Sequence, residues 1–528
     1  MKKVSAVFAL AGCLCAQGLD PESLAKPRVG EWPTYYGDYS GRRFSQLSQI
    51  NRSNVGSLTL AWTFTANPAA PPTFEGLERV AAAGSVPIRV GNAVYFTLPD
   101  NVWAVDAQSG RQLWHYYRPA PGSHSVNFGA GMYKSRIFFG TPDAHVVALD
   151  ARTGKKLWEV AVGDVKFGEA ITMAPLIAGN HVIVGSSGEG ADTPGFAVAL
   201  DPETGKTQWK WSAVPKPGKT GSETWMSGKS GEEVMVHGGG HPSMTPTYDP
   251  DLNLLYLGTG SPRPTFAGEA RVGDNLYTSS IVALNAENGA VVWYYQTTPH
   301  DTHAWDALAT PVLADLEFKG KPRRLLLQAN RNGRLFVLDR ATGESLLSAP
   351  YVTTNWPNEV NGTGQPIPQK DREPRPDGVL APTGATDSRP ASFSPNTNLF
   401  YANTDPNRYS IFYRWSGSSA MPRGRAGVER VVSRPDSVLV ALDYQTGRTR
   451  WTSDAGGVGG VLSTAGGLVI TSGANGSVAA LDADTGKVLW HSRMGAMANS
   501  AITYELGGRQ YIITPAGASL FAWALPER

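Results

Sequence analysis

The decapeptides LDARTGKKLW (149–158), LDPETGKTQW (200–209) and LDADTGKVLW (481–490) follow one pattern. Four further copies repeat it: VDAQSGRQLW (105–114), LNAENGAVVW (284–293), LDRATGESLL (338–347) and LDYQTGRTRW (442–451). Each copy reads as a strand, a tight Asp-x-x-Thr-Gly turn and a returning strand. The Asp carboxylate caps the turn's N–H groups, and glycine accepts the positive φ that the turn demands. An indole at a fixed offset then packs between neighbouring units. Units that cannot bury their apolar faces alone form a propeller or a solenoid. Where nothing is inserted, the copies lie about 40–50 residues apart, a propeller-blade length. Alternation in NAVYFTL (92–98) and SRIFFGT (135–141) is that of strands rather than helices. LTLAWTF (58–64) supplies an eighth position, with Trp62 in the docking slot, and YIITPAGASLFAWAL (511–525) has no motif after it. Pairing of these two segments closes the ring and removes its free edge. The expectation is one all-β domain over residues 31–528, an eight-bladed β-propeller of four-stranded antiparallel blades.

Composition agrees with this. The 528 residues include 59 Gly and 38 Pro, and only 17% are charged, as suits a turn-rich β protein rather than a disordered chain. Once Lys2 and Lys3 of the first sixteen residues are set aside, basic and acidic residues balance. A neutral surface gives no reason to expect nucleic acid or an acidic membrane face as partner. Residues 1–16 read as an export leader, with a positive start (MKK), a short apolar run (VSAVFAL) and small residues near a cleavage point. Leu10-Ala11-Gly12-Cys13 is open to two readings: a lipoprotein box that lipidates Cys13, or ordinary cleavage near Ala16. Either places the protein in the periplasm or cell envelope. Both cysteines lie in this leader, so the remainder holds neither a disulfide nor a Cys-x-x-Cys-His haem motif. No nucleotide-binding loop or Ser-His-Asp spacing supports an NAD enzyme or a hydrolase.

Further segments carry a resemblance. EWPTYYGDYSGRRFSQLSQINRSNVGSLTLAWTF (31–64), APLIAGNHVIVGSSGEG (174–190), YDPDLNLLYLGTGSPRP (248–264), YYQTTPHDTHAWDALATPVLADL (294–316) and NRNGRLFVLDR (330–340) make the chain similar to the quinoprotein alcohol dehydrogenases over roughly residues 31–525. That family uses pyrroloquinoline quinone (PQQ) with a calcium ion in the central channel. The resemblance implies an exported oxidoreductase that oxidises an alcohol or sugar hydroxyl and passes electrons to a separate cytochrome c or a membrane quinone. It implies a general-base aspartate, a Lewis-acid metal with oxygen ligands and a two-electron cofactor.

Matched residue by residue, Asp306 in AWDALAT is the catalytic aspartate and a metal ligand, reached after two extra residues in DTHAWD. Arg331 matches the basic residue that contacts the quinone oxygens. Glu189 matches the calcium carboxylate if one residue is gapped; without the gap Gly190 falls there. Thr172 matches a cofactor-bonding threonine, with Ser187 and Gly188 along the same wall. Leu308 stands where lanthanide-using relatives place a second aspartate, which favours calcium. Several positions depart. The metal-binding asparagine is Ser261, the tryptophan under the quinone is Ser243, and the adjacent-cysteine disulfide falls at Gly122-Ser123. A cofactor arginine aligns with Phe128, a glutamate with Gly84 and a channel tryptophan with Gly457. His124, His241 and His303 fall in the same aligned loops, and imidazoles suit a transition metal better than calcium. Two further readings therefore stand beside the dehydrogenase: a non-catalytic propeller that binds or scaffolds other molecules in the envelope, and an enzyme with a histidine-bound metal. The insertions 210–245 and 348–390 carry no interpretable pattern and are expected to form a lid or a partner surface.

Overall fold

The turn of each repeat is where neighbouring sheets meet. In the computed structural model, which describes residues 19–67, 85–119, 126–188, 191, 193–225, 229–353, 356, 359–386, 388–417, 424–433, 437–473 and 475–527, the indole of one repeat lies flat on the turn glycine of the next. Trp62 covers Gly110, Trp114 covers Gly154, Trp158 covers Gly205, Trp209 covers Gly289, Trp293 covers Gly343 and Trp451 covers Gly486. A Cβ on any of these glycines would fall 2.5–2.8 Å from an indole carbon. Each of these indole N–H groups donates to a carbonyl of the turn it covers, at 2.9–3.2 Å. Glycine is thus required twice at one position, for a φ of +71° to +77° and for the close indole contact. Where the repeat ends in Leu347 instead of tryptophan, Gly447 meets Ala349. The turn caps form as the sequence implies: Asp150 Oδ1 accepts the Thr153 N–H at 2.8 Å and Asp201 Oδ1 that of Thr204 at 2.7 Å.

Among the described residues there are seven four-stranded sheets, one five-stranded sheet and one three-stranded sheet. A typical unit pairs Ile88–Val90, Ala93–Leu98, Asn101–Asp106 and Gln112–Tyr117 in sequence order, all antiparallel. The ring closes as expected, since Thr59–Thr65 pairs antiparallel with Ser519–Ala524 (Leu60 opposite Trp523, Thr63 opposite Phe521). The architecture is all-β, a propeller of four-stranded antiparallel sheets.

Residues 32–45 tie the inner strands together. Tyr39, Ser40, Arg42 and Arg43 each offer a backbone carbonyl to the inner strand of a different sheet, at Tyr248, Leu313, Phe393 and Ser463. Arg43 is fully buried, and its guanidinium donates to the carbonyls of Val461, Tyr35 and Ala501. The functional face is built by the loops that enter the inner strands and those that join second to third strands. The insertion after Pro350 supplies Val379–Pro382 to a three-stranded sheet whose other strands, Tyr409–Arg414 and Gly427–Val431, come from the segment between Leu399–Thr404 and Val438–Asp443, and Trp305, Trp356 and Phe412 cluster there. The other insertion contributes a helix, Lys229–His237. The leader, residues 1–16 with Cys13, lies outside the described residues. No helix among the described residues is long and apolar enough to cross a membrane.

Candidate active site

Two loops place the expected base. Asp306 enters the strand Val312–Phe318, and Ser261 follows the strand Leu254–Gly258 of the preceding sheet. Asp306 Oδ1 accepts the Ser261 backbone N–H at 2.7 Å and the Ser261 hydroxyl as well. Among the described residues, its other oxygen, Oδ2, is met by Nη1 of Arg331 at 3.3 Å. Three residues picked from the sequence, one of them a departure from the family pattern, therefore form one cluster. Its side chains are neither sealed nor free, 17% exposed at Asp306 and 27% at Arg331. Glycines make room for it. A Cβ on Gly384, whose φ is +148°, would lie 2.7 Å from Arg331 Cγ, and one on Gly260 would crowd the His241 carbonyl.

A second wall adjoins the first through His241. Its Nδ1 pairs with the Ser186 hydroxyl at 2.9 Å, while its carbonyl accepts the N–H groups of Ser243 (3.0 Å) and Gly260 (3.2 Å). Burial, helped by the nearby Arg263 charge, pushes the His241 imidazole down to about 4. Ser187 is buried and donates its hydroxyl to the Ala170 carbonyl at 3.0 Å. Thr172, also buried, gives its carbonyl to the Phe128 N–H. Gly188 holds a φ of +151°, where a side chain would strike the Gly168 carbonyl. Ser243 is half-buried. Glu189, Gly190, His124, Gly122, Ser123 and Gly84 lie outside the described residues.

At Gly457 the departure is backed by the backbone. A Cβ there would sit 1.7 Å from the Ser472 carbonyl oxygen, so this chain cannot carry a channel side chain at that point without a backbone shift. His241 and His303 have separate partners. His303 stacks on Trp305 (4.2 Å, 9°), its Nε2 meets the Arg372 carbonyl at 2.9 Å and its Nδ1 the Thr302 hydroxyl at 3.2 Å. Among the described residues no group of three His, Cys, Asp or Glu side chains could hold a metal.

Sequence reasoning missed the residues that brace this site. Asp301 is fully buried; it accepts the His303 N–H (2.9 Å) and the Ser279 hydroxyl (2.8 Å), which shapes the loop leading to Asp306. Burial, with the neighbouring Asp306 charge, raises its carboxyl above the usual range. Trp305 donates to the Pro382 carbonyl at 3.0 Å and packs on Trp356, which fastens the loop to the insertion. The pair of extra residues in DTHAWD was the only sequence signal of this bracing.

Loops of adjacent sheets of this propeller thus bring together a carboxylate, a hydroxyl and a guanidinium. Comparison gives the family. Residues 32–392 match the model of the glucose/ethanol/alcohol dehydrogenase β-propeller domain, and residues 435–522 match that of the outer membrane protein assembly factor BamB. The chain is 34% identical to the quinohemoprotein alcohol dehydrogenase ADH-IIG of Pseudomonas putida over 96% of its own length and 75% of that protein's. The solved quinohemoprotein alcohol dehydrogenase of Comamonas testosteroni superposes with a TM-score of 0.86 at 29% identity, covering 97% of this chain and 84% of that one. A europium-containing methanol dehydrogenase gives 0.82 at 28% identity, covering 96% and 100%. The chain belongs to the quinoprotein alcohol dehydrogenase family, a family of PQQ-dependent oxidoreductases.

Proposed function

We propose that this protein is a PQQ- and calcium-dependent dehydrogenase of the cell envelope that oxidises a hydroxyl of a small alcohol or sugar. The observation that carries this reading is the convergence of Asp306, Ser261 and Arg331. The donor chemistry fits the group. A carboxylate and a hydroxyl are the oxygen ligands that a hard cation takes, with Glu189 as the third, and a guanidinium suits the oxygens of an anionic quinone. Thr172, Ser187, Gly188 and Ser243 would line the remainder of the cofactor site. When bound, the quinone supplies a two-electron acceptor and the calcium a Lewis acid.

This chain's residues then divide the work. The two donors from Ser261 hold Asp306 Oδ1 in place. Oδ2, with one long bond to Arg331, is the oxygen that takes the proton from the substrate hydroxyl. The substrate carbon loses a hydride and the hydroxyl its proton, which leaves a carbonyl. The electron acceptor in this reading is a separate cytochrome c or a membrane quinone. The eight expected blades are supported by seven four-stranded sheets and one five-stranded sheet. Residues 1–16 serve as the export leader of a single domain over 31–528. Leu308 supports calcium over a lanthanide.

The test is titration of the purified protein with PQQ, with and without calcium, following heat and quinone absorbance together. Calcium-dependent binding at micromolar affinity or tighter supports the dehydrogenase. Absence of binding by folded protein with any divalent metal refutes it and leaves the binding or scaffolding propeller.

A further inference from the structure

Two buried charged side chains, Asp301 and Arg271, bridge the loops that present Ser261 and Asp306. One Asp301 carboxylate oxygen accepts the His303 N–H of its own loop at 2.9 Å, and the other accepts the Ser279 hydroxyl at 2.8 Å. Ser279 in turn donates its backbone N–H to the carbonyl of Gly260, the residue before Ser261, at 2.8 Å. Arg271 makes a second crossing. Its guanidinium donates to the carbonyls of Pro264 (2.9 Å) and Thr265 (2.8 Å), just past Ser261, and to the Asp301 carbonyl (2.5 Å) on the Asp306 loop. Its Nη1 also meets Asn275 Oδ1 at 2.6 Å, and Glu373 and Glu269 join Asp301 in supplying negative charge around it. The same loops meet once more at their strand ends, where the Ala307 N–H donates to the Thr259 carbonyl at 3.0 Å.

Burying charge is costly, and a buried ion pair is weak evidence for stability. Both of these charges span the two loops whose meeting makes the site, so their cost has a local use. A ligand constellation works when its donors are held within about 0.5 Å of their productive spacing. The outer partners that hold metal ligands are typically worth about 10–100-fold in affinity. We propose that Asp301 and Arg271 are positioning residues that fix Ser261 against Asp306, so that the calcium affinity of the site depends on them. The calcium part of this assignment rests on the dehydrogenase reading; the spacing part does not.

Two measurements on the full chain test this: calorimetric titration with calcium at saturating PQQ, and amide hydrogen exchange around Ser261 without any ligand. Asp301→Ala removes both carboxylate links and is expected to weaken calcium binding by about 10–100-fold and to speed that exchange. Asp301→Asn removes the charge and keeps the links, because the amide oxygen accepts from His303 and the amide N–H donates to the Ser279 hydroxyl. It is expected to stay near the parent in both measurements. Arg271→Lys, charged but without the guanidinium fork, is expected to weaken calcium binding. Gly205→Ala, strained at a repeat turn, is expected to bind calcium as the parent does. Parental affinity in Asp301→Ala or Arg271→Lys overturns the proposal, as does an equal loss in Asp301→Asn, which charge alone would produce, or in Gly205→Ala. Where Asp301→Ala does not fold, Ser279→Ala decides: weaker calcium binding by the folded variant upholds the proposal, and parental binding overturns it. A parent that takes no calcium, with exchange sped by Asp301→Ala and not by Asp301→Asn, upholds the positioning of Ser261 and counts against the calcium reading. Unchanged exchange in Asp301→Ala overturns the positioning itself.

Discussion

Replacing Asp306 with asparagine removes one charge and almost no volume. The amide oxygen can still accept both donors of Ser261, which hold Oδ1 now at 2.7 Å and by the hydroxyl. The amide NH2 then faces Arg331 where Oδ2 did, so a single charge-assisted bond of 3.3 Å is lost. Such a bond contributes about 1.5–3 kcal/mol when shielded. With the two side chains 17% and 27% exposed, solvent screening brings the stability cost down to about 1 kcal/mol. Catalysis loses its proton acceptor, and general-base assistance is worth about 10²–10⁴-fold. The variant should therefore melt within a few degrees of the parent while kcat falls by that factor. The assay is dye-linked alcohol oxidation at saturating PQQ and calcium, with cofactor occupancy read from quinone absorbance. Ser261→Ala, which removes one donor and leaves the carboxylate, should cost at most about tenfold. An Asp306→Asn protein that binds cofactor and keeps kcat within tenfold of the parent would show that the base lies elsewhere.

Other consequences are as direct. Gly205→Ala puts a Cβ 2.8 Å from the Trp158 indole at a φ of +73°, so positive-φ strain and overpacking together should cost about 2–4 kcal/mol in chemical denaturation, and activity at low temperature should survive. Burial pushes the His303 imidazole from 6.5 down to about 3. The unfolded chain takes up this proton near pH 6.5 and the folded chain does not, so the stability it contributes is complete above pH 6.5 and is lost as pH falls toward 3, by about 1.4 kcal/mol per unit. Urea midpoints at pH 7 and pH 5 should differ less in His303→Gln than in the parent, and an unchanged difference would count against a buried neutral imidazole. Glu189→Ala should weaken calcium-dependent PQQ binding at least tenfold in the same titration, and calcium chelation should mimic it in the parent.

How far the residues alone carried the reading can be seen at particular places. Asp106, Asp150 and Asp201 cap turns of their own repeat, a local event within four residues, and so the strand–turn–strand unit was readable at once. Closure of Thr59–Thr65 on Ser519–Ala524 was readable too, because an unpaired edge strand has few other fates. Asp306, Ser261 and Arg331 could be chosen from motif context, yet their contact could not. They come from loops 45 and 25 residues apart in the chain, and only the stacking of adjacent sheets brings them within hydrogen-bond reach. Asp301 was passed over because a buried carboxylate that caps its own loop looks, in sequence, like any turn aspartate.

By itself, then, the sequence determined the repeat, its turn chemistry, the docking indoles, the closed β ring and the family. These depend on short-range backbone geometry and on a period that recurs many times. Tertiary structure alone decided that Gly457 has no room for a side chain, that His303 is spent on Trp305 and the Arg372 carbonyl, and that Arg389 and Arg408 converge on Asp405 next to Arg331. Those facts arise between loops of different sheets and inside an insertion with no pattern of its own. Their geometry is set by how the ring packs, and no local spacing along the chain encodes it.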